Sequence, residues 1–219
     1  GTWNIQKLFG NAETNVAIPV SVEAATILYE DVEASFRETF QQGRLELEPG
    51  VSDSQGATWS KIHLSLNGQT IQQFTVSGAV SLSAKRFELE AVLQEFDFHP
   101  RLFSLCPVQF FKDTWWREAV DSLSMRLSLS LSAAGSMDAL AETIFDVRGH
   151  VSSGRFEHQR LPFPLADVAA TFTANQRGFE IQSIVAQSGG SHFQGSAKVE
   201  GWSKQSDFEC LLEAERLIV

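Results

Sequence analysis

Ser122-Leu123-Ser124-Met125-Arg126-Leu127-Ser128-Leu129-Ser130-Leu131-Ser132 decides the fold class. Every second residue is apolar, and those between are serine or arginine. Successive side chains of an extended chain point to opposite faces, so this stretch is a strand with one dry and one wet face. A helix would scatter the same pattern around its circumference. Upstream, Phe74-Thr75-Val76-Ser77-Gly78-Ala79-Val80-Ser81-Leu82 repeats the alternation. After a turn at Ala84-Lys85, Phe87, Leu89, Ala91 and Leu93 continue it, with Glu88, Glu90 and Gln94 opposite. Further strands are predicted over residues 20–29, 45–48, 58–66, 141–151, 168–175, 179–187, 193–200 and 207–218. Asn67-Gly68 and Arg177-Gly178 are the clearest turn signals. Short connections between such segments predict a mainly β fold. The expected form is a long antiparallel meander making a curved, groove-like half-barrel sheet, with one short helical segment near residues 100–120.

That helical segment breaks the two-residue period. Leu102, Phe103, Leu105, Val108, Phe110, Phe111, Trp115, Trp116 and Val120 follow a wider spacing, with Pro100 at its start and Pro107 dividing it. Val108, Phe111 and Trp115 fall on one helical face. The segment reads as a helix closing one end of the β core, a lid over an apolar groove, or a surface that meets membrane. Its polar face (Lys112, Asp113, Glu118) lacks the cationic excess of an interfacial helix. A lid with Phe111 and Trp115 is therefore favoured over a membrane surface. The chain then divides into an N-terminal β half (1–98), a helical connector or lid (99–121) and a C-terminal β half (122–219), or forms one continuous domain.

A faint repeat supports two halves. Phe74-x-Val76-x-Gly78-x-Val80, Phe145-x-Val147-x-Gly149-x-Val151 and Phe193-x-Gly195-x-Ala197-x-Val199 each carry a glycine in mid-strand. Such a glycine marks a bulge or tight bend, as a curled sheet requires.

Composition excludes some functions. The net charge of −10 argues against nucleic acid, whose binding needs a basic stripe to displace counterions. It also disfavours electrostatic docking onto an anionic bilayer. No apolar run is long enough to span a bilayer as a helix. Of the two cysteines, Cys210 lies in an apolar alternation and reads as a small buried thiol, while Cys106 stands far off in sequence. No nucleophile elbow, phosphate-cradling loop or zinc-type cysteine pair occurs. His150 and His158 could face each other across a hairpin, but no nearby aspartate or cysteine completes a metal set. Neither a cofactor, a metal nor a catalytic residue is expected. Were the chain an enzyme, Arg126, Glu142 and His150 would be its unsupported candidates.

One resemblance suggests more. Leu161-Pro162-Phe163-Pro164-Leu165-Ala166-Asp167-Val168 leads into Phe179-Glu180-Ile181, the Ser188-Gly189-Gly190 turn, and Phe193-x-Gly195-x-x-x-Val199. Upstream lie Ala17-Ile18-Pro19-Val20, Leu105-Cys106-Pro107-Val108-Gln109-Phe110 and Trp115-Trp116. In this order they resemble the C-terminal region of AsmA-like and TamB-related envelope proteins, which are similar to bridge-like lipid-transfer proteins. The resemblance covers most of the chain and is densest in the last third. It implies a strongly curved sheet whose apolar inner face holds acyl chains. It also implies a periplasmic or cell-envelope location, with partners being phospholipid or another acyl lipid, further segments of a longer β-groove protein, or envelope membrane proteins. The chain departs from the family in lacking a transmembrane N-terminus, so a fragment of a membrane-anchored protein is expected.

Two readings follow. In the first, the chain is a non-catalytic lipid-binding groove with Val76, Val80, Met125, Leu127, Leu129, Val168, Phe172, Ile181 and Phe193 against the lipid. In the second, it is a structural β-sandwich or scaffold domain with a closed dry core and no ligand. They differ in whether the apolar face stays open.

Overall fold

The computed structural model describes residues 19–31, 36–54, 56–98, 122–157, 164–202 and 206–215. Eleven strands follow in chain order: β1 (Val20–Asp31), β2 (Phe36–Ser52), β3 (Thr58–Asn67), β4 (Ile71–Ser81), β5 (Arg86–Phe98), β6 (Leu123–Ser136), β7 (Ile144–Phe156), β8 (Ala166–Asn175), β9 (Gly178–Ser188), β10 (Ser191–Glu200) and β11 (Asp207–Glu215). They form one sheet in which each strand pairs antiparallel with its sequence neighbours, and β1 and β11 are its two edges. The mainly β meander read from the alternation is thus the fold, and the sheet does not close into a barrel. The helical structure among the described residues is one 3-10 turn, Leu140–Glu142, where the sequence predicted the start of a strand. The predicted helix near 100–120, with Phe111, Trp115 and Cys106, lies outside the described residues, as does His158.

β5 and β6 pair along their length, from Arg86↔Ser136 to Phe98↔Met125. The stretches before and after residues 99–121 therefore share a single sheet. β2 is the largest extension beyond the predicted strands, running seventeen residues where only 45–48 was expected. Its first half, Arg37-Glu38-Thr39-Phe40-Gln41-Gln42, lacks alternation because it carries a turn-capping carboxylate and a bulge.

Bulges bend the strands. Register shifts occur near Ala24, Gln42, Glu95 and Asp167, and each of these four has a left-handed backbone, with φ of 55°, 54°, 49° and 50°. Three further shifts sit at Pro49-Gly50 in β2, at Ser152 in β7 and at Gln182-Ser183 in β9. A bulge adds one residue, so apolar residues three apart stay on one face. Leu93 and Phe96 both face β6 residues of the apolar row, and Ile181 and Ile184 do the same toward β8.

Tight hairpins keep neighbours adjacent. Gly189 and Gly190, both at positive φ (55° and 84°), form the two-residue turn between Ser188 and Ser191. At Asn175-Gln176-Arg177-Gly178 the Arg177 N–H donates to Asn175 Oδ1 at 2.8 Å. The Asn67-Gly68 turn is held from outside: Gln69 and Thr70 N–H donate to the Glu38 carboxylate at 2.8 and 3.1 Å.

Two of the three repeat glycines mark where the following strand closes in. A Cβ on Gly78 would collide with the Glu88 carbonyl, and one on Gly195 with the Leu211 carbonyl. The third, Gly149, lies under the ring of Phe172 instead.

Candidate functional site: an apolar sheet face

Cross-strand partners share a face, so the register sorts the side chains. One unbroken row crosses all eleven strands: Val22, Leu45, Leu64, Val76, Ala91, Leu131, Val147, Ala174, Phe179, Val199 and Phe208. A second row runs Leu66, Phe74, Leu93, Leu129, Gly149, Phe172, Ile181, Ala197 and Cys210. A third runs Ile71, Phe96, Leu127, Val151, Ala170, Ile184, Gly195 and Leu212. No charged side chain interrupts these rows.

All nine residues expected to meet lipid belong to this face. Val76, Leu127, Leu129, Phe172 and Ile181 sit in the rows above. Val80 pairs with Phe87, and Met125 with Phe98 and Gly154. Val168 packs beside Gly154, and Phe193 stands opposite Ala186 and Ala214. Leu93, Phe96, Val151, Ala170 and Ile184 were not among those nine, yet they join Leu127 in the central cluster. The signal that could have found Leu93–Phe96 and Ile181–Ile184 was an apolar pair three residues apart inside a two-residue period.

Burial along the face is graded. Leu127, Val151 and Ala170 are buried at its centre, while Leu129, Phe172, Ile181 and Ile184 around them are half-buried. Rings fill part of the space, with Phe172 and Phe179 centroids 5.7 Å apart and Phe96 and Phe98 6.1 Å apart. At one end Trp202, whose Nε1 donates to the Asn175 carbonyl at 2.8 Å, reaches Phe145 at 6.4 Å. Among the described residues no second sheet or helix lies over the face.

Cys210 corrects an expectation. Its apolar alternation predicted burial, yet the thiol is free and exposed. The alternation does put it on the apolar face, but among the described residues β11 has a neighbouring strand on one side only.

The opposite face is mainly polar, with Val92, Ile144 and Val185 exposed on it. Its matching row is Ser21, Glu46, His63, Ser77, Glu90, Ser132, Asp146 and Asn175. Ion pairs run along and across its strands: Arg126 grips Asp97 at 2.7 Å, Arg44 Glu46 at 2.6 Å, and Arg148 Asp146 at 3.2 Å. Lys198 bonds Glu200 and holds that carboxyl below its ordinary range by hydrogen bond and charge. Arg126, weighed above as an enzyme candidate, is thus engaged in an ion pair, and Glu142 and His150 are exposed on other elements.

A hollow of about 970 Å³ lies on this polar side, not on the apolar one. Glu46, Glu48, Glu88, Glu90 and Asp146 line it, with Lys61, His63 and Arg177. A twisted sheet is saddle-shaped, so each face is hollow along one diagonal. Ala79, Ala134 and the exposed Ile144 share this lining, but an acyl chain laid against its carboxylates would strip their hydration without return. Among the described residues no group of three histidine, cysteine or acidic side chains has the geometry to hold a metal ion. Nor is any helix among them long and apolar enough to cross a membrane.

In comparison with known proteins, no family model, curated protein or solved structure matches the chain.

Proposed function

We propose that this chain is a non-catalytic lipid-binding β-groove module of AsmA-like or TamB-related type, acting in a cell envelope. One observation carries the reading: an apolar face continuous over eleven strands, uncovered by a second layer among the described residues. Apolar surface of that extent needs a cover, since leaving it in water forfeits about 25 cal/mol per Å². An acyl chain would supply one by non-directional contact. It could shift along the rows at little cost, because neighbouring positions offer similar aliphatic surface. Binding under this reading breaks no bond and needs no cofactor. The partners are phospholipid or another acyl lipid, and further groove segments or envelope membrane proteins that deliver it.

Protein purified without detergent tests the reading by native mass spectrometry with solvent extraction. Co-purifying lipid is expected. Its occupancy should fall at least about tenfold in L129S/I181S, because two half-buried aliphatic contacts of roughly 1 kcal/mol or more are lost. Leu127 is a poorer target, being part of the buried cluster on which folding rests. A lipid-free mass, with no uptake of added fluorescent phospholipid, would instead point to the closed scaffold reading.

A further inference from the structure

Antiparallel order puts the β2–β3, β4–β5, β6–β7, β8–β9 and β10–β11 turns along one rim of the sheet. Leu82, Leu140 and Trp202 stand on three of these turns and are 56%, 65% and 61% exposed. Trp59 begins β3 at the same rim, so both tryptophans among the described residues lie there. Turn geometry gives no reason for leucine or tryptophan at such tips, where glycine, proline, asparagine, aspartate and serine serve. Pairing at either edge strand would lengthen the sheet sideways and leave these hairpin tips uncovered. The turns are also tied to one another. Thr58 N–H donates to Ser83 Oγ at 3.2 Å, and Met137 N–H to the Lys85 carbonyl at 2.7 Å. Gln176 Nε2 donates to the Thr143 carbonyl at 3.4 Å, and Gly201 N–H to the Arg177 carbonyl at 2.6 Å.

Both indoles have their N–H held within the rim, Trp59 by Asp53 Oδ2 at 3.0 Å and Trp202 by the Asn175 carbonyl at 2.8 Å. An indole whose donor the protein already satisfies can enter an apolar layer without stranding that N–H. Charge is balanced here although the chain carries −10: Asp53, Asp138 and Glu142 are matched in number by Lys85, Arg86 and Arg177, and Lys85 meets Asp138 at 3.0 Å. Behind the rim stand Glu48, Glu88 and Asp146 of the polar hollow, which repel an anionic surface. From this we infer that the rim rests shallowly on a zwitterionic bilayer surface, with Leu82, Leu140 and Trp202 entering the boundary between headgroups and acyl chains. Apolar tips projecting from successive turns suit a yielding, extended surface, whereas the anchors of a protein interface fill pockets. Trp202 also reaches Phe145 of the apolar face, so a seated rim brings the bilayer to the end of the apolar rows. The inference holds whatever that face binds.

The test floats the full chain with vesicles of phosphatidylcholine alone, or of phosphatidylcholine mixed with phosphatidylglycerol. Amide hydrogen exchange locates the contact. Flotation with the zwitterionic vesicles is expected, no stronger with the anionic ones, and with exchange slowed over residues 82–85 and 138–143. L82S/L140S, at exposed turn positions that leave the sheet intact, should lower partitioning at least about tenfold. L129S/I181S, which the lipid reading expects to lose bound lipid, should still float. Loss in L129S/I181S with none in L82S/L140S would overturn the rim contact and leave the lipid reading standing. No flotation, flotation that requires the anionic lipid, or a homodimer dispersed by L82S/L140S would each overturn the inference as well.

Discussion

Glu38 has only 3% of its surface exposed, yet it carries a carboxylate. Two backbone N–H groups of the β3–β4 turn, from Gln69 and Thr70, donate to it and offset its loss of water. Gly68 makes room: a Cβ there would stand 2.6 Å from Glu38 Oε1. The carboxylate thus joins β2 to a turn some thirty residues away. Glu38→Ala removes the acceptor of two N–H groups, one on exposed Gln69 and one on half-buried Thr70, and should cost about 1–2 kcal/mol in urea unfolding. Glu38→Gln keeps one acceptor oxygen and should cost roughly half as much. Equal and negligible losses would mean that the turn does not depend on the carboxylate. Nothing in the sequence marked Glu38, because a buried acid whose donors lie thirty residues on leaves no local pattern.

At the scale of the strand, bulges decide which face each side chain takes. Ala24, Gln42, Glu95 and Asp167 adopt left-handed backbones, which cost an L-residue about 1–2 kcal/mol. The cost is offset because the inserted residue keeps aliphatic pairs such as Leu93–Phe96 facing the same way. Replacing Ala24 by glycine removes the steric penalty, so stability should hold or rise by up to about 1 kcal/mol. The same change at Ala134, in the regular part of β6, should lower it by about 0.5–1 kcal/mol. Thermal or urea denaturation of both variants checks the difference in sign, and equal losses would contradict a left-handed Ala24.

Strand existence was legible wherever the period was clean, as at Leu123–Ser136 and at Arg86–Phe98. It failed at the start of β2, where polar residues serve the turn and the bulge and no alternation survives. At Cys210 the strand was legible and the exposure was not. Alternation reports which face a residue takes but not whether another strand lies beside it.

For the whole molecule, the register converts scattered apolar positions into continuous rows. That the nine named residues share one face was legible because an alternating strand declares its face locally. How widely that face extends was not, since it depends on pairing between residues far apart in sequence. The polar hollow was also hidden from the sequence, because it arises from the twist of the assembled sheet. Two faces of opposite character result, one of unbroken aliphatic rows and one of ion pairs around a charged depression. The lipid reading therefore makes a claim about sides: an acyl chain should lie against the first and avoid the second.

Photo-crosslinking with a phospholipid carrying a diazirine in its acyl chain, mapped by peptide mass spectrometry, tests this most directly. Adducts are expected on Leu129, Phe172, Ile181 and their row neighbours, with none on Ser130, Thr171 or the carboxylates of the polar hollow. Adducts confined to the polar face, or spread equally over both, would contradict the account.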